Sequence, residues 1–266
     1  MLQSHRTIPA IRQTVLAAGI IMSFGFAPAC VFGADSIDPE SDKILRSMST
    51  YLGGLSAFRV NADVDNEIID LQGQKLQLSS SATAVIERPT KFHMTRHGVF
   101  ADAEIIFDGK IVTLHGKNQN VYAQIEAPGS IDDAFEAVQF ETGLDLPGMD
   151  FLYADSYPLL TSETMSSTYH GSAFVEGIEC HYLSFRKAKV DWQLWVQAGD
   201  TPLPMKYVIT TKWMTGAPQY SVRFRDWDTQ PKIEANQFSF TIPKGAKQLD
   251  ALTVNEAGEL IHGEAE

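Results

Sequence analysis

The sequence predicts a mostly β protein, an antiparallel half-open β-barrel closed by an N-terminal helix and a midchain helical insert. Three observations carry this. Long runs alternate apolar and polar residues with a period of two, as strands with one dry and one wet face do. Turn signals, above all Gln72-Gly73 and Asp108-Gly109, separate those runs at hairpin spacing. Two stretches change to helical spacing, and each carries a single apolar stripe that must pack on something.

In chain order, Asp38 is a good N-cap, Pro39 suits the first helical position and Glu40 complements the dipole. Ile44, Met48, Tyr51, Leu52 and Leu55 then form the stripe, and Gly53-Gly54 weakens the end. Phe58, Val60, Ala62, Val64 and Ile68 alternate with polar residues. Beyond the first turn, Leu76, Leu78, Ala82, Ala84 and Ile86 do the same. Shorter strands are expected near Phe92–His97, Glu104–Phe107, Ile111–His115 and Val121–Ile125. Ser130 with Asp133 makes a capping-box-like helix start. Ile131, Ala134, Phe135 and Val138 give its stripe, and Gly143 ends it. Leu144–Leu160 is irregular yet rich in Leu, Met, Phe and Tyr, so it must cover something. Strands resume near Thr168–Val175 and Ile178–Phe185, then with the parities Trp192-Leu194-Val196, Met205-Tyr207-Ile209-Thr211-Trp213 and Val222-Phe224. Phe238, Phe240 and Ile242 read as a last strand before Pro243, and the polar tail from Leu249 is expected to be loose. A cavity between lid and sheet is the natural ligand site.

The N-terminus reads as an export signal over residues 1–33. Arg6 and Arg12 make it positive, and no acidic residue precedes Asp35. The apolar run Val15–Phe26 is too short to span a bilayer. Val31 and Gly33 suit cleavage before Ala34, which leaves a domain over 34–250 and a polar tail over 251–266 in the periplasm. The alternative is a lipoprotein anchored at Cys30, but Ala27 stands where Leu is usual and Pro28 fits poorly. The formal net charge is −12, and losing the basic leader makes it more acidic still. Such a surface repels phosphate backbones, so no nucleic-acid partner is expected. Cys180, on the parity of Ile178 and Tyr182, is expected as a buried small apolar group rather than a reactive thiol.

No catalytic set, metal site or cofactor motif emerges. His93 and His97 share a strand face but sit about 13 Å apart at 3.3 Å per residue. His115, His170 and His181 have no carboxylate or cysteine at ligand spacing. Neither a nucleophile elbow nor a phosphate- or dinucleotide-binding glycine pattern occurs.

Several short motifs resemble LolA-type periplasmic lipoprotein carriers. They are Arg88-Pro89 followed by Phe92-His93-Met94-Thr95, then Phe107-Asp108-Gly109-Lys110, and the ending Phe238-Ser239-Phe240-Thr241-Ile242-Pro243-Lys244-Gly245. Trp192-Gln193-Leu194-Trp195-Val196 and Pro204-Met205-Lys206-Tyr207 look like the signature of a set of uncharacterised predicted periplasmic proteins of that type. One departure is Phe92, where the carriers have tryptophan. The resemblance implies an eleven-stranded half-barrel whose lid covers a cavity for acyl chains of lipids or lipoproteins. It implies that Arg88 tethers the lid, and that a membrane-anchored donor or acceptor protein takes part. The residues expected to contact the ligand are Phe92, Met94, Phe135, Val138, Phe151, Leu152, Trp192, Leu194, Tyr207, Trp213 and Phe224, although a core role remains open for the aromatic ones. A hydrophobic-ligand carrier that is not an enzyme leads this reading. An envelope-stress sensor on the same fold and a hydrolase with a dispersed site are the alternatives.

Overall fold

Alternation at period two becomes one continuous curled sheet. The computed structural model describes residues 36–99, 102–142 and 148–250. The leader 1–33, Cys30, the cleavage point before Ala34, Gly143, Leu144, Pro147 and the tail 251–266 lie outside the described residues. The chain opens on α1 (Pro39–Gly54), whose N-cap Asp38 accepts a hydrogen bond from the Ser41 backbone N–H at 2.8 Å. Six strands follow: β1 (Ala57–Ile69), β2 (Lys75–Glu87), β3 (Lys91–Gly98), β4 (Ala103–Phe107), β5 (Ile111–Gly116) and β6 (Val121–Glu126). The helical insert is α2 (Ile131–Thr142), a 3₁₀ turn (Met149–Leu152) and α3 (Tyr157–Thr161). The capping box forms as expected. Ser130 N–H and Oγ both donate to Asp133 Oδ2 at 2.7 Å, and Ser130 Oγ accepts from the Asp133 N–H.

The second block is β7 (Ser166–Val175), β8 (Ile178–Arg186), β9 (Val190–Gln197), β10 (Pro204–Thr211) and β11 (Gln219–Asp228), with a two-residue β12 (Lys247–Gln248). The sheet order is β12-β6-β5-β4-β3-β2-β1-β11-β10-β9-β8-β7, so the two blocks meet where β1 pairs β11. Eleven strands pair antiparallel, and β12 alone runs parallel, against β6. The dry face is shared by Phe58, Val60, Ala62 and Val64 of β1, Ile86 of β2, Phe92 of β3 and the matching positions of β8–β11. Ile44, Leu45, Met48 and Leu52 of α1 and Ile131, Ala134, Phe135 and Val138 of α2 join the same cluster with Phe151, Leu152 and Leu160. The helices and the apolar irregular segment therefore cover the dry face, as their stripes require.

Three expectations need correction. Phe238, Phe240 and Ile242 do not form a strand. That stretch crosses the outer face instead, where Phe240 packs on His115 and Tyr122 and His93 bonds the Gln237 carbonyl. Trp213 does not continue β10, which ends at Thr211. The chain turns there because the Lys212 N–H is drawn to the Lys189 carbonyl, and the indole is left 68% exposed. Leu249 is not loose, since its N–H donates to the Tyr122 carbonyl at 2.8 Å and its side chain packs on Val121 and Ala123. Cys180 is buried as expected, in a small separate cluster with Val175 and Met205.

Candidate functional site

The space between lid and sheet follows from side-chain size. Ala62 of β1 and Ala82 and Ala84 of β2 lie on the dry face beneath the 3₁₀ turn. Small groups at the centre of a curved sheet leave room that the lid does not fill. Two adjoining apolar cavities result, of about 130 and about 210 Å³, with Val64, Ala82, Met94, Thr95, Met149 and Tyr220 in both linings. The first runs under Phe151, Leu152, Val222, Phe224 and Trp227, and the second reaches the ends of β3 and β4 at Arg96 and Ala103. Each is smaller than the roughly 300–1,000 Å³ of a drug-sized ligand pocket. A larger depression of about 460 Å³ beside α2 is mixed, lined by Glu126, Asp133, Glu136 and Glu141 together with Ile125, Ala137 and Phe140.

The lid is held at residues 153 and 154 by three contacts. Arg88, at the end of β2, donates from Nη2 to the Tyr153 carbonyl at 3.2 Å. Asp132 of α2 accepts the Ala154 N–H at 3.1 Å. Gly53 lets the lid backbone approach α1, because a Cβ there would stand 2.2 Å from the Ala154 carbonyl oxygen. Burial lowers the Arg88 pKa, and Asp132 opposes that shift. Arg88 Nε is buried without a partner, so the guanidinium is held by few of its five donors. Deeper in the insert, Ser156 Oγ donates to Ser49 Oγ at 2.9 Å, and Tyr157 donates to Asp42 of α1.

Of the residues expected to meet a ligand, Met94, Phe151, Leu152 and Phe224 line the cavity. Phe92, Phe135, Val138, Trp192, Leu194 and Tyr207 are buried core beside it. Phe135 stacks on Phe92 with ring centroids 5.0 Å apart, and Phe185 stacks on Trp192 at 3.8 Å. Phe151 meets Tyr207 edge-on at 5.0 Å. Trp213 stands outside the cavity lining, at the turn after β10. The reading from sequence missed Met149, Tyr220 and Trp227. Tyr220 shares strand parity with Val222 and Phe224, which was the available signal; Met149 lies in an irregular segment that has no parity.

Burial raises the pKa of Tyr220 in the cavity lining and of Tyr153 and Tyr207 beside it. Burial pushes Tyr220 up to about 12, with Arg96 opposing. Burial and then Glu136, Asp150 and Asp132 push Tyr153 up to about 12, and burial likewise raises Tyr207. On the outer face, Glu104 lies 3.3 Å from both His93 Nε2 and His115 Nδ1, with Lys117 at 3.7 Å. The His93 hydrogen bond, then Lys117 and His115, bring its pKa down to about 2 against a burial penalty. No group of three or more His, Cys, Asp or Glu fit to hold a metal occurs among the described residues.

The described residues form a half-open antiparallel sheet with a helical insert over apolar cavities, and that architecture defines the class of this protein. The chain belongs to the family described as "Predicted periplasmic protein (DUF2092)", whose model matches residues 41–252. No curated protein sequence matches it. Among solved structures, LprF from Mycobacterium bovis is similar at 14% identity and a TM-score of 0.46, covering 80% of this chain and 100% of that one. The Pseudomonas aeruginosa MucA/MucB complex gives 13% identity and a TM-score of 0.44, over 76% of this chain and 61% of that one. A LolA superfamily protein from Nitrosomonas europaea gives 7% and 0.37, over 75% and 97%.

Proposed function

We propose that this protein is a periplasmic carrier that holds a hydrophobic acyl-chain ligand between sheet and lid, without covalent chemistry. The observation that carries this reading is the apolar cavity beneath a lid latched by single contacts at Tyr153 and Ala154. Burial of apolar surface, about 25 cal/mol per Å², supplies the affinity. Arg88 tethers the closed, empty form, and ligand binding displaces Met149–Leu152 and enlarges the space over Ala62 and Ala82. In this reading the chain is exported, cleaved before Ala34 and left unacylated at Cys30, and its acyl-chain cargo comes from a membrane-anchored donor or goes to such an acceptor.

The test pairs mass spectrometry of lipids extracted from natively purified protein with titration of a fluorescent fatty acid. Ala82→Leu fills the cavity and should weaken the titration at least tenfold, with the fold intact by circular dichroism. Wild-type protein that carries no lipid and ignores the fatty acid would sink the proposal.

A further inference from the structure

The β1–β2 hairpin stands taller than its neighbour on one side. β3 ends at Gly98, opposite Ser80 of β2, whereas β2 continues to pair β1 down to Lys75 opposite Ile69. Five further residue pairs therefore project past the end of β3. On its other side the hairpin is accompanied by the turn between β10 and β11. Gln219 N–H donates to Glu67 at 2.8 Å, and a Cβ on Gly216 would lie 3.1 Å from Ile69 Cδ1. The two turns thus form one double prong.

Its tips are apolar where turns are ordinarily polar. Leu71 is fully exposed, Trp213 is 68% and Met214 38% exposed. The loop geometry fixes them outward. Asp70 Oδ1 accepts from the Gln72 and Gln74 N–H groups, and the Ala217 N–H closes back on the Met214 carbonyl. The flanking lysines are paired, Lys75 with Glu67 at 3.1 Å and Lys212 with Asp191 at 2.7 Å, so the charge left beside Leu71 is the acidic Asp70. The prong springs from β1, β2 and β11, the strands that supply Val64, Ala82 and Tyr220 to both cavities.

We infer that Leu71, Trp213 and Met214, at the tips of the paired β1–β2 and β10–β11 hairpins, insert into a neutral lipid surface. A protein partner would need a socket for a convex prong, whereas a bilayer needs none. Trp in particular settles at the interface between headgroups and acyl chains. Paired flanking charges and a net charge of −12 disfavour an anionic surface, which commits the prong to uncharged or zwitterionic headgroups. Apolar insertion of a few side chains gives reversible docking rather than anchorage. The inference deepens the carrier reading by naming where the cavity meets the membrane, and it rests on that reading only for its purpose.

The test uses the folded full domain with phosphatidylcholine vesicles. Tryptophan emission should shift to shorter wavelength on vesicle addition and be quenched by lipids brominated along the acyl chain. Trp213→Ser should lose both signals. The double variant Leu71→Asp, Met214→Asp should reduce vesicle partitioning at least tenfold while its fatty-acid titration in solution stays unchanged. Equal partitioning of wild type and double variant overturns the prong even if fatty acid binds. A wild type that ignores neutral vesicles but binds a membrane protein through the same tips also overturns it. Vesicle binding lost in the variants supports it whether or not the cavity takes fatty acid, so the two readings fail separately.

Discussion

Replacing Arg88 by Leu removes the donor that reaches across from β2 to the lid at Tyr153. A hydrogen bond to a charged group contributes about 1.5–3 kcal/mol. Here the 3.2 Å separation is at the long end of the normal range, which favours the lower figure. The guanidinium also carries a cost of burial, expressed in its lowered pKa and in a buried Nε without a partner. Leu is free of that cost, so the net loss of lid closure is about 1 kcal/mol, or about a fivefold shift toward the open form. The Ala154 amide, which donates to Asp132, reports lid opening directly through hydrogen exchange. Its exchange should accelerate about fivefold in Arg88→Leu while amides in β1 and β11 are unaffected, and fatty-acid affinity should rise in step. Arg88→Lys keeps the charge but lacks the planar fork, and it should fall between the two. Unchanged exchange at Ala154 together with unchanged affinity would refute the latch.

Phe135→Asp places a carboxylate against Phe92 and Tyr153, and loss of a buried aromatic alone costs about 3–5 kcal/mol; thermal unfolding should reveal a marked drop in Tm. Glu104 has its folded pKa depressed to about 2 from 4.5, so its contribution to stability is complete above the ordinary value and lost as pH falls from there toward 2. Glu104→Gln should be less stable than wild type near neutrality and show a shallower decline of Tm across that acid window. Intact mass of the protein from the cell envelope should correspond to a chain starting at Ala34, and an acylated species starting at Cys30 would contradict the export reading.

Local chemistry made most of the strands and helices legible. Asp108-Gly109 and Gln72-Gly73 mark turns whose glycines do adopt positive φ, and the Asp38 and Ser130 caps begin their helices where expected. Alternation is weaker where it has to report pairing. Phe238, Phe240 and Ile242 alternate like a strand, yet no neighbouring strand offers them a ladder, so the same pattern serves an extended strap across the outer face. Trp213 kept the parity of β10 past Thr211, because parity is blind to where hydrogen bonding stops. The cavity was legible only as a dry face. Which of its positions would be empty depends on Ala62 facing Ala82 across β1 and β2, with Ala84 next along the same face, beneath Met149, and register and lid placement are both non-local.

The seam between β1 and β11 carries a consequence for biogenesis. Asp63 pairs with Arg223 in register and receives a two-pronged ion pair from Arg225 at 3.1 Å, so the middle of the sheet joins chain segments about 160 residues apart. Contacts this distant in sequence are slow to form, because the intervening loop must be closed before any contact rewards it. A chain delivered N-terminus first can complete α1 and the β1–β6 meander early, yet the β1 edge stays unpaired until β11 arrives. That edge is long and apolar on one face, the kind of template that recruits strands from other molecules. Its ionic positions, Asp63 and Asp65 on the outward face, place charge there during the wait. Substitutions that neutralise them should therefore reduce the yield of folded protein more than its stability.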